Sequence, residues 1–204
     1  MYESIGSAEV IDVEDPQGRG RVQVLPVGVA GGIARWARVS TPYSGNGYGM
    51  FFTPEVGDEV LVAFATATSS EPVVLGSLSR ASDARVESDP EVKSLKTKAG
   101  HELVFSDQKV ELKTASGHYL SLDDSDGSVT LSSEQGDLIK LDRGTIQLEA
   151  GIKIEARSST LEIDAANISV NAPVVQFSGV LQCDSLLASS VVSANYSPGV
   201  GNLK

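Results

Sequence analysis

Hydrophobic and polar residues alternate almost without interruption through the middle of the chain. From position 145 onward, isoleucine and leucine occupy one parity, and glutamine, glutamate and lysine occupy the other. The alternation shifts by one residue near 157–160 and again just before Ile168. Because successive side chains of a β-strand point to opposite faces, this pattern predicts strands with one apolar and one polar row.

The segments before this region repeat one another. The units begin at Gly100 (GHELVFSD), Gly117 (GHYLSLDD) and Gly136 (GDLIKLDR), and a fourth begins at Gly151 (GIKIEARS). The steps between these glycines are 17, 19 and 15 residues. Each unit consists of a glycine, a polar residue and an alternating strand, and the first three end in an acidic turn. Repetition with a drifting period is typical of a β-solenoid or a repeated meander.

A single chain of such strands is too thin to cover its own apolar row, and long flat strand edges would pair with other chains. The inward residues are isoleucine, leucine, valine and alanine, which suit a narrow core around an axis. We therefore expect an obligate oligomer, and a threefold β-prism is the natural closed form.

The first 80 residues show short apolar runs separated by turn residues. The segments EVIDVED and RVQVLPV flank PQGRG, where Gly18 and Gly20 predict a hairpin turn. Three further strands are predicted at RWARVS, GDEVLVAF and PVVLGSL. Five short strands fit a small closed barrel such as an OB-fold. The glycine-rich residues 44–49 are predicted to form a long, flexible loop.

These patterns divide an all-β chain into four parts. Residues 1–80 form the predicted OB-fold barrel, and the charged residues 81–96, which include Pro90, form a linker. The repetitive β-helical shaft covers residues 97–172. Residues 173–204 are rich in small side chains and nearly uncharged, which suits a tapering needle tip or a segment that docks against a partner.

Composition and charge narrow the function classes. The formal net charge of -11 makes nucleic acid an unfavourable partner, because an acidic chain repels phosphate backbones. Cys183 is the only cysteine, which excludes an intramolecular disulfide and a thiolate metal cage, and its apolar neighbours predict a buried, unreactive thiol. The first residues lack the features of a signal peptide, and no apolar run approaches the about 20 residues that span a bilayer. We expect synthesis in the cytoplasm without a signal peptide.

Candidate site residues are few. His101 and His118 open equivalent units, with Asp137 in the same place in the third, and by parity the histidines align with the apolar row. In a trimer, three copies of each could approach the axis and bind a metal or an anion; the simpler interpretation is that they are hydrogen-bonded or solvated at strand starts. Neither has a nucleophile fixed beside it, so we predict no catalytic residue, no cofactor and no enzyme activity. Asp126 and Gly127 predict a tight hairpin turn.

An ordered set of motifs lies between residues 35 and 78, at Trp36 to Val39, Pro54, Gly57 to Val62, Phe64 and Pro72 to Leu78. This range resembles the OB-fold of the VgrG and gp5-type central spike family of contractile phage tails and type VI secretion systems. The T-x-x-G-H-x-L-x-L-x-D units from Thr97 and Thr114 onward resemble the segment that leads that family into its triple-stranded β-helix.

The resemblance implies a homotrimer with OB barrels at its base and an intertwined β-prism needle. Its implied role is structural: the spike caps the tail tube and pierces the target envelope when the sheath contracts. Larger members carry an N-terminal hub domain, so a separate hub protein is implied here, as in the short phage baseplate assembly protein V-like form. Some short spikes end in an iron-binding His-x-His motif, which this chain lacks; the implied partner at the tip is a PAAR-like capping protein. The implied location is a virion tail or an extracellular contractile injection particle.

Two other function classes fit part of the pattern. An OB-fold barrel on a β-stalk suits an adhesin that binds surface glycans, since OB barrels bind oligosaccharides, usually through aromatic side chains. Trp36 fits either the barrel core or such an aromatic platform. Steps near 18 residues also suit a left-handed β-helix acyltransferase, but continuous hexapeptide phasing is absent. The sequence does not distinguish a phage, a bacteriocin and an injection system.

Overall fold

The computed structural model describes residues 5–64, 71–80, 83 and 88–194, so parts of the predicted linker (81–82 and 84–87) and of the predicted tip (195–204) lie outside it. The chain divides into two units, Met1–Ile154 and Glu155–Lys204. Among the described residues, no helix is long and apolar enough to cross a membrane. The strands are β1 (Ile5–Asp12), β2 (Val22–Pro26), β3 (Arg35–Val39), β4 (Ser44–Gly45), β5 (Tyr48–Gly49), β6 (Glu59–Phe64), β7 (Pro72–Leu78), β8 (Lys93–Lys96), β9 (Glu102–Phe105), β10 (Lys109–Lys113), β11 (Tyr119–Asp123), β12 (Ser128–Ser132), β13 (Leu138–Asp142) and β14 (Thr145–Glu149).

Five strands form a closed barrel in the order β1-β2-β3-β7-β6, with β6 pairing back onto β1. All neighbours are antiparallel except β3 and β7, which are parallel. Shifts of register between Val10 and Asp12 and between Leu61 and Val62 bend the strands, as a small barrel requires. The five predicted strands and the OB-fold topology are confirmed.

The barrel core consists of small side chains. Outward-facing residues alternate with inward-facing valines and alanines, because the interior of a five-stranded barrel is narrow. Each fully buried valine stabilises the barrel by about 1.5–3 kcal/mol relative to an exposed one. The buried residues are Ala8, Val10, Val22, Val24, Ala37, Val60, Val62 and Val74.

The predicted flexible loop at residues 44–49 contains a short hairpin instead. Strands β4 and β5 pair antiparallel, with Ser44 opposite Gly49 and Gly45 opposite Tyr48. The hairpin lies within the long connection from β3 to β6.

The repeat units form a seven-stranded antiparallel meander in the order β8 to β14, so the single chain forms the meander rather than a solenoid coil. The predicted turn at Asp126 and Gly127 joins β11 to β12, where the Ser128 N–H donates to Asp126 Oδ1 at 3.0 Å. The last four residues of the predicted linker 81–96 form strand β8, which pairs with β9. The ordered sheet therefore begins earlier than the repeat pattern indicates.

The strands predicted beyond Glu149 are not formed by a single chain. Residues 150–172 continue the alternation, but none of them belongs to a strand, and all are exposed. A strand needs a partner for its backbone N–H and C=O groups. The described residues of one chain offer none to this segment.

One carboxylate organises the turn between β1 and β2. Asp15 accepts hydrogen bonds from Arg21 Nε (3.1 Å) and Nη2 (2.8 Å), and the two side chains are only 3% and 8% exposed. It also accepts backbone N–H bonds from Gln17, Arg19 and Arg21. The Arg21 hydrogen bond lowers the pKa of Asp15 far below its usual value; burial opposes this shift and the backbone N–H groups assist it. The Arg21 guanidinium lies 5.7 Å from the centre of the Trp36 ring.

Replacing Asp15 with asparagine keeps the size of this side chain and removes its charge. We expect the barrel of Asp15→Asn to unfold at a temperature several degrees lower at pH 7, because Arg21 loses its charged partner. Trp36 is the only tryptophan of the chain, so its fluorescence follows the barrel in the full-length protein.

The effect depends on pH in a defined direction. Since the folded-state pKa of Asp15 is lowered, its stabilisation is present above the unfolded value, about 3.9, and is lost as the pH falls below it. The difference in Tm between the wild type and Asp15→Asn should therefore shrink below about pH 4. Glu14→Gln removes an exposed carboxylate of the same turn and is the control. Equal Tm values for wild type and Asp15→Asn at pH 7 would contradict the stabilising role of the pair.

Candidate assembly interface

One face of the meander is apolar on every strand. Two rows of side chains cross the sheet in the register of its hydrogen-bonded pairs. One row joins Leu95, Leu103, Leu112, Leu120, Leu131, Ile139 and Leu148, and the other joins Phe105, Val110, Leu122, Val129, Leu141 and Ile146. We call this surface the apolar face. It confirms the predicted separation of apolar and polar parities.

The apolar face is open in the single chain. Leu131, near the middle of the sheet, is 49% exposed, and Ile146, on the last strand, is 71% exposed. No described part of the same chain covers these side chains. A continuous apolar surface of this extent is rare on a monomer and is typical of a protein–protein interface.

The opposite face of the meander is polar and carries an ion-pair network. Lys109 Nζ lies 3.6 Å from a Glu111 carboxylate oxygen and 3.4 Å from one of Asp123. The Tyr119 hydroxyl donates to Glu111, and this bond is the main reason why the pKa of Glu111 is lowered. The hydrogen bond with Asp123 likewise raises the pKa of Lys109. The alternating charges of KVELK are the sequence signal for this solvent-facing side.

Three turns at one end of the strands share the same construction. In each, a hydroxyl accepts the backbone N–H four residues later: Thr97 from His101 at 3.1 Å, Thr114 from His118 at 3.0 Å, and Ser133 from Asp137 at 3.0 Å. In each turn a glycine also donates its N–H to the carbonyl of the same threonine or serine. These glycines are Gly100, Gly117 and Gly136. A threonine or serine three residues before a glycine thus encodes one turn type in all three units.

The two candidate histidines link successive turns. Nδ1 of His101 accepts the N–H of Ala115 at 3.3 Å, and Nδ1 of His118 accepts the N–H of Glu134 at 3.4 Å. In the third unit, Asp137 Oδ1 accepts the N–H of Gly151 at 3.1 Å. We call this series the turn ladder.

The turn ladder bears on the predicted metal or anion site. With Nδ1 engaged, each histidine keeps only Nε2 for a ligand. Within the described residues of one chain, no group of three histidine, cysteine, aspartate or glutamate side chains is arranged to hold a metal ion. A site on a trimer axis at His101 and His118 needs other copies of the chain, and it stays a prediction.

The described part of the unit from Glu155 onward has no helix or strand, and its backbone bends at regular intervals; we call residues 155–194 the bent segment. The backbone bends at Ser159, Ala166 and Pro173, seven residues apart. It bends again at Ser178 and Gly179, and then at Asp184, Ser189 and Ala194, five residues apart after Gly179. Apolar residues recur at equivalent places between the bends: Ile154, Leu161, Ile168 and Val175 in the seven-residue section, and Leu181, Leu186 and Val191 in the five-residue section. All of these side chains are exposed.

Cys183 lies in the five-residue section and is exposed, so the predicted burial of its thiol is wrong for the single chain. Its apolar neighbours do not shield it, because they are exposed as well.

Two family models match the chain. The type VI secretion system/phage-baseplate injector OB domain matches residues 7–78, which contain the closed barrel. The phage baseplate V C-terminal trimerisation domain matches residues 109–182, which contain β10 to β14 and most of the bent segment. None of the curated proteins matches the chain.

Most of the apolar face lies inside the trimerisation domain, which supports a homotrimer and makes this face its candidate interface. The order of the two domains is that of the predicted resemblance, which is confirmed for both the barrel and the shaft. The chain therefore belongs to the VgrG and gp5-type spike family of phage baseplates and type VI secretion systems.

Proposed function

We propose that this protein is the homotrimeric central spike of a contractile, phage-tail-like particle, which caps the tail tube and pierces the target cell envelope. The observation that carries the proposal is the apolar face, open in one chain and lying within a trimerisation domain that follows an injector barrel. The proposed role is structural and involves no enzymatic reaction.

Piercing requires a stiff shaft, and the meander supports one. Its seven strands, spaced about 4.8 Å apart, give roughly 29 Å of continuous hydrogen bonding along the sheet order. With three apolar faces packed together, one sheet cannot bend without exposing apolar surface, which costs about 25 cal/mol per Å². The polar outer face remains in water.

The bent segment supports a needle that narrows towards its tip. Strands without intrachain partners can pair with the other two copies, so each straight run between bends becomes one side of a threefold coil. Seven extended residues reach about 23 Å and five reach about 17 Å. A change from seven-residue to five-residue runs at Gly179 therefore shortens each side by about a quarter.

The far end of the barrel is the proposed seat of a separate hub protein and the tail tube. Strands β1, β3 and β7 run in one direction, because β2 is antiparallel to β1 and β3, and β7 is parallel to β3. The chain leaves the barrel after β7, so residues 27–34, which follow β2, lie at the opposite end. This glycine-rich segment exposes Val27, Val29 and Ile33.

The remaining partners and the location follow from the same role. A PAAR-like capping protein at the C-terminal end, contact with the target envelope, and a place in a virion tail or an extracellular injection particle belong to the proposal. The acidic charge supports no role for nucleic acid.

The glycan-binding adhesin is a weaker alternative. It needs an open aromatic platform on the barrel, whereas Trp36 is half-buried with the Arg21 guanidinium over its ring. A trimerisation domain fits both functions, but an injector barrel fits only the spike.

Neighbouring residues on opposite faces of β12 test the trimer. Leu131→Asp places a carboxylate among the apolar rows, and we expect it to abolish the trimer, because three unpaired charges would be buried at several kcal/mol each. Thr130→Asp places the same carboxylate on the polar face opposite Lys140 and should leave the trimer intact. Sedimentation velocity and SDS gels of unboiled samples report the outcome.

A trimeric Leu131→Asp protein would show that the apolar face is not the interface. Loss of the trimer in both variants would show that β12 tolerates no carboxylate, and the face would then be tested with Leu122→Asn, whose side chain is uncharged.

The same pair tests the spike role in particles. Cells that lack the native protein and express either wild type or Thr130→Asp should assemble particles that carry the chain and kill or inject, whereas Leu131→Asp should not restore activity. Mass spectrometry of purified particles and a target-cell assay measure both. Full activity of particles without the chain would refute the spike proposal, and glycan-array binding by the free trimer would favour the adhesin.

A further inference from the structure

The connection between β3 and β6 carries exposed aromatic side chains that the barrel core does not use. Phe51 is 68% exposed and Phe52 is 56% exposed, and Tyr43 and Tyr48 are also more than half exposed. We call residues 41–56 the aromatic loop. Each aromatic side chain has about 150–250 Å² to bury, so their shared exposure makes the loop an interaction surface.

The aromatic loop has a defined shape. The Tyr43 and Tyr48 rings lie 5.4 Å apart between centres, and the Met50 N–H donates to the Tyr43 carbonyl at 2.8 Å. A Cβ at Gly45 would come within 2.2 Å of the Tyr48 ring, and one at Gly49 within 2.9 Å of the Phe51 ring. The aromatic rings therefore lie directly on glycine backbone, which holds the apolar surface in place.

The loop lies at the end of the barrel from which the chain leaves for the shaft. It follows β3, and β3 is parallel to β7, whose C-terminal end at Leu78 is the exit. Glu55 of the loop pairs with Lys98 at 3.5 Å, and Lys98 lies in the turn between β8 and β9. The loop is thus beside the first hairpin of the meander, where the apolar face begins.

We propose that the aromatic loop packs against the neighbouring copy at the junction between barrel and shaft, extending the trimer interface beyond the trimerisation domain. Three shafts joined by their apolar faces bring three loops to the same level around one axis. Strand β8 ends the sheet, so one of its edges has no strand partner among the described residues and offers the neighbouring loop a surface to cover. A hub protein would meet the other end of the barrel. The inference rests on the trimer, and not on the spike function.

A photo-crosslinker at Phe51 tests the contact in the full-length trimer without any other particle protein. With p-benzoylphenylalanine at position 51, irradiation should give covalent dimers and trimers on boiled SDS gels. The control carries the crosslinker at Val29, which is similarly exposed at the opposite end of the barrel and should give monomer. Peptide mapping should place the adduct within residues 88–105 or in the barrel of the second copy.

A Phe51 crosslinker that yields only monomer from a trimer intact in sedimentation would overturn the contact, and so would adducts confined to the same chain. Adducts that appear only in assembled particles, with another protein, would identify that protein as the occupant and also overturn it. In each of these cases the Leu131→Asp and Thr130→Asp variants still test, independently of the loop, whether the apolar face forms the trimer interface.

A double substitution supplies a second readout. Phe51→Ser with Phe52→Ser should lower the Tm of the barrel, followed by Trp36 fluorescence, by several degrees in the trimer and leave the trimer assembled. Adding Leu131→Asp to the Phe51 crosslinker protein should abolish the adducts, because separate chains no longer hold the loops together. An unchanged Tm in the double variant would contradict the proposal.

Discussion

An apolar surface on a sheet one layer thick needs a second layer to exclude water, and the trimerisation domain that contains most of this sheet makes other copies of the same chain the candidates for that layer. The barrel covers its own apolar side chains, since its five strands close around their valines and alanines. The meander cannot cover its apolar side chains, because its strands form a single open sheet with one apolar side. One chain therefore contains a barrel core that is fully buried and a sheet whose apolar side is exposed to water.

The boundary between two modes of pairing lies near residue 150. Before it, each strand of the meander pairs with its neighbours in sequence. After it, the alternation continues without any strand partner among the described residues. The spacing of the bends explains the shifts of parity that the sequence shows near 157–160 and before Ile168. Seven is an odd number, so residues at equivalent places in successive seven-residue runs have opposite parity.

The parts of the fold that depend on local pattern could be predicted from the sequence. Alternation and turn residues located all five barrel strands and the turn at Asp126 and Gly127. Strand β8 could not be predicted, because its residues KSLK are largely polar and only pairing with β9 makes them a strand. The hydrogen bonds of Arg21 to Asp15 could not be predicted either, since no pattern in DPQGRGR, which contains both residues, indicates that they pair.

Predictions that depend on other copies of the chain could not be decided from one chain. The alternation beyond Glu149 predicts strands with one apolar side, yet residues 150–172 form none in a single chain, because a strand needs a partner backbone. The same reason explains Cys183, whose burial was predicted from apolar neighbours that are themselves exposed. Residues 44–49 of the aromatic loop were predicted to be only a long, flexible loop, since a glycine-rich segment does not reveal that the Tyr48 and Phe51 rings lie against its glycines.

In the turn ladder the two candidate histidines act as hydrogen-bond acceptors, and Asp137 of the third unit does the same. His101, His118 and Asp137 differ in chemistry, but each places one acceptor atom against a backbone N–H at the start of the next repeat. A neutral imidazole offers a single acceptor nitrogen and a carboxylate offers oxygens, so both satisfy that requirement. The common need of the repeats is therefore an acceptor that joins one turn to the next, and the ladder ends at Gly151, where the intrachain sheet also ends.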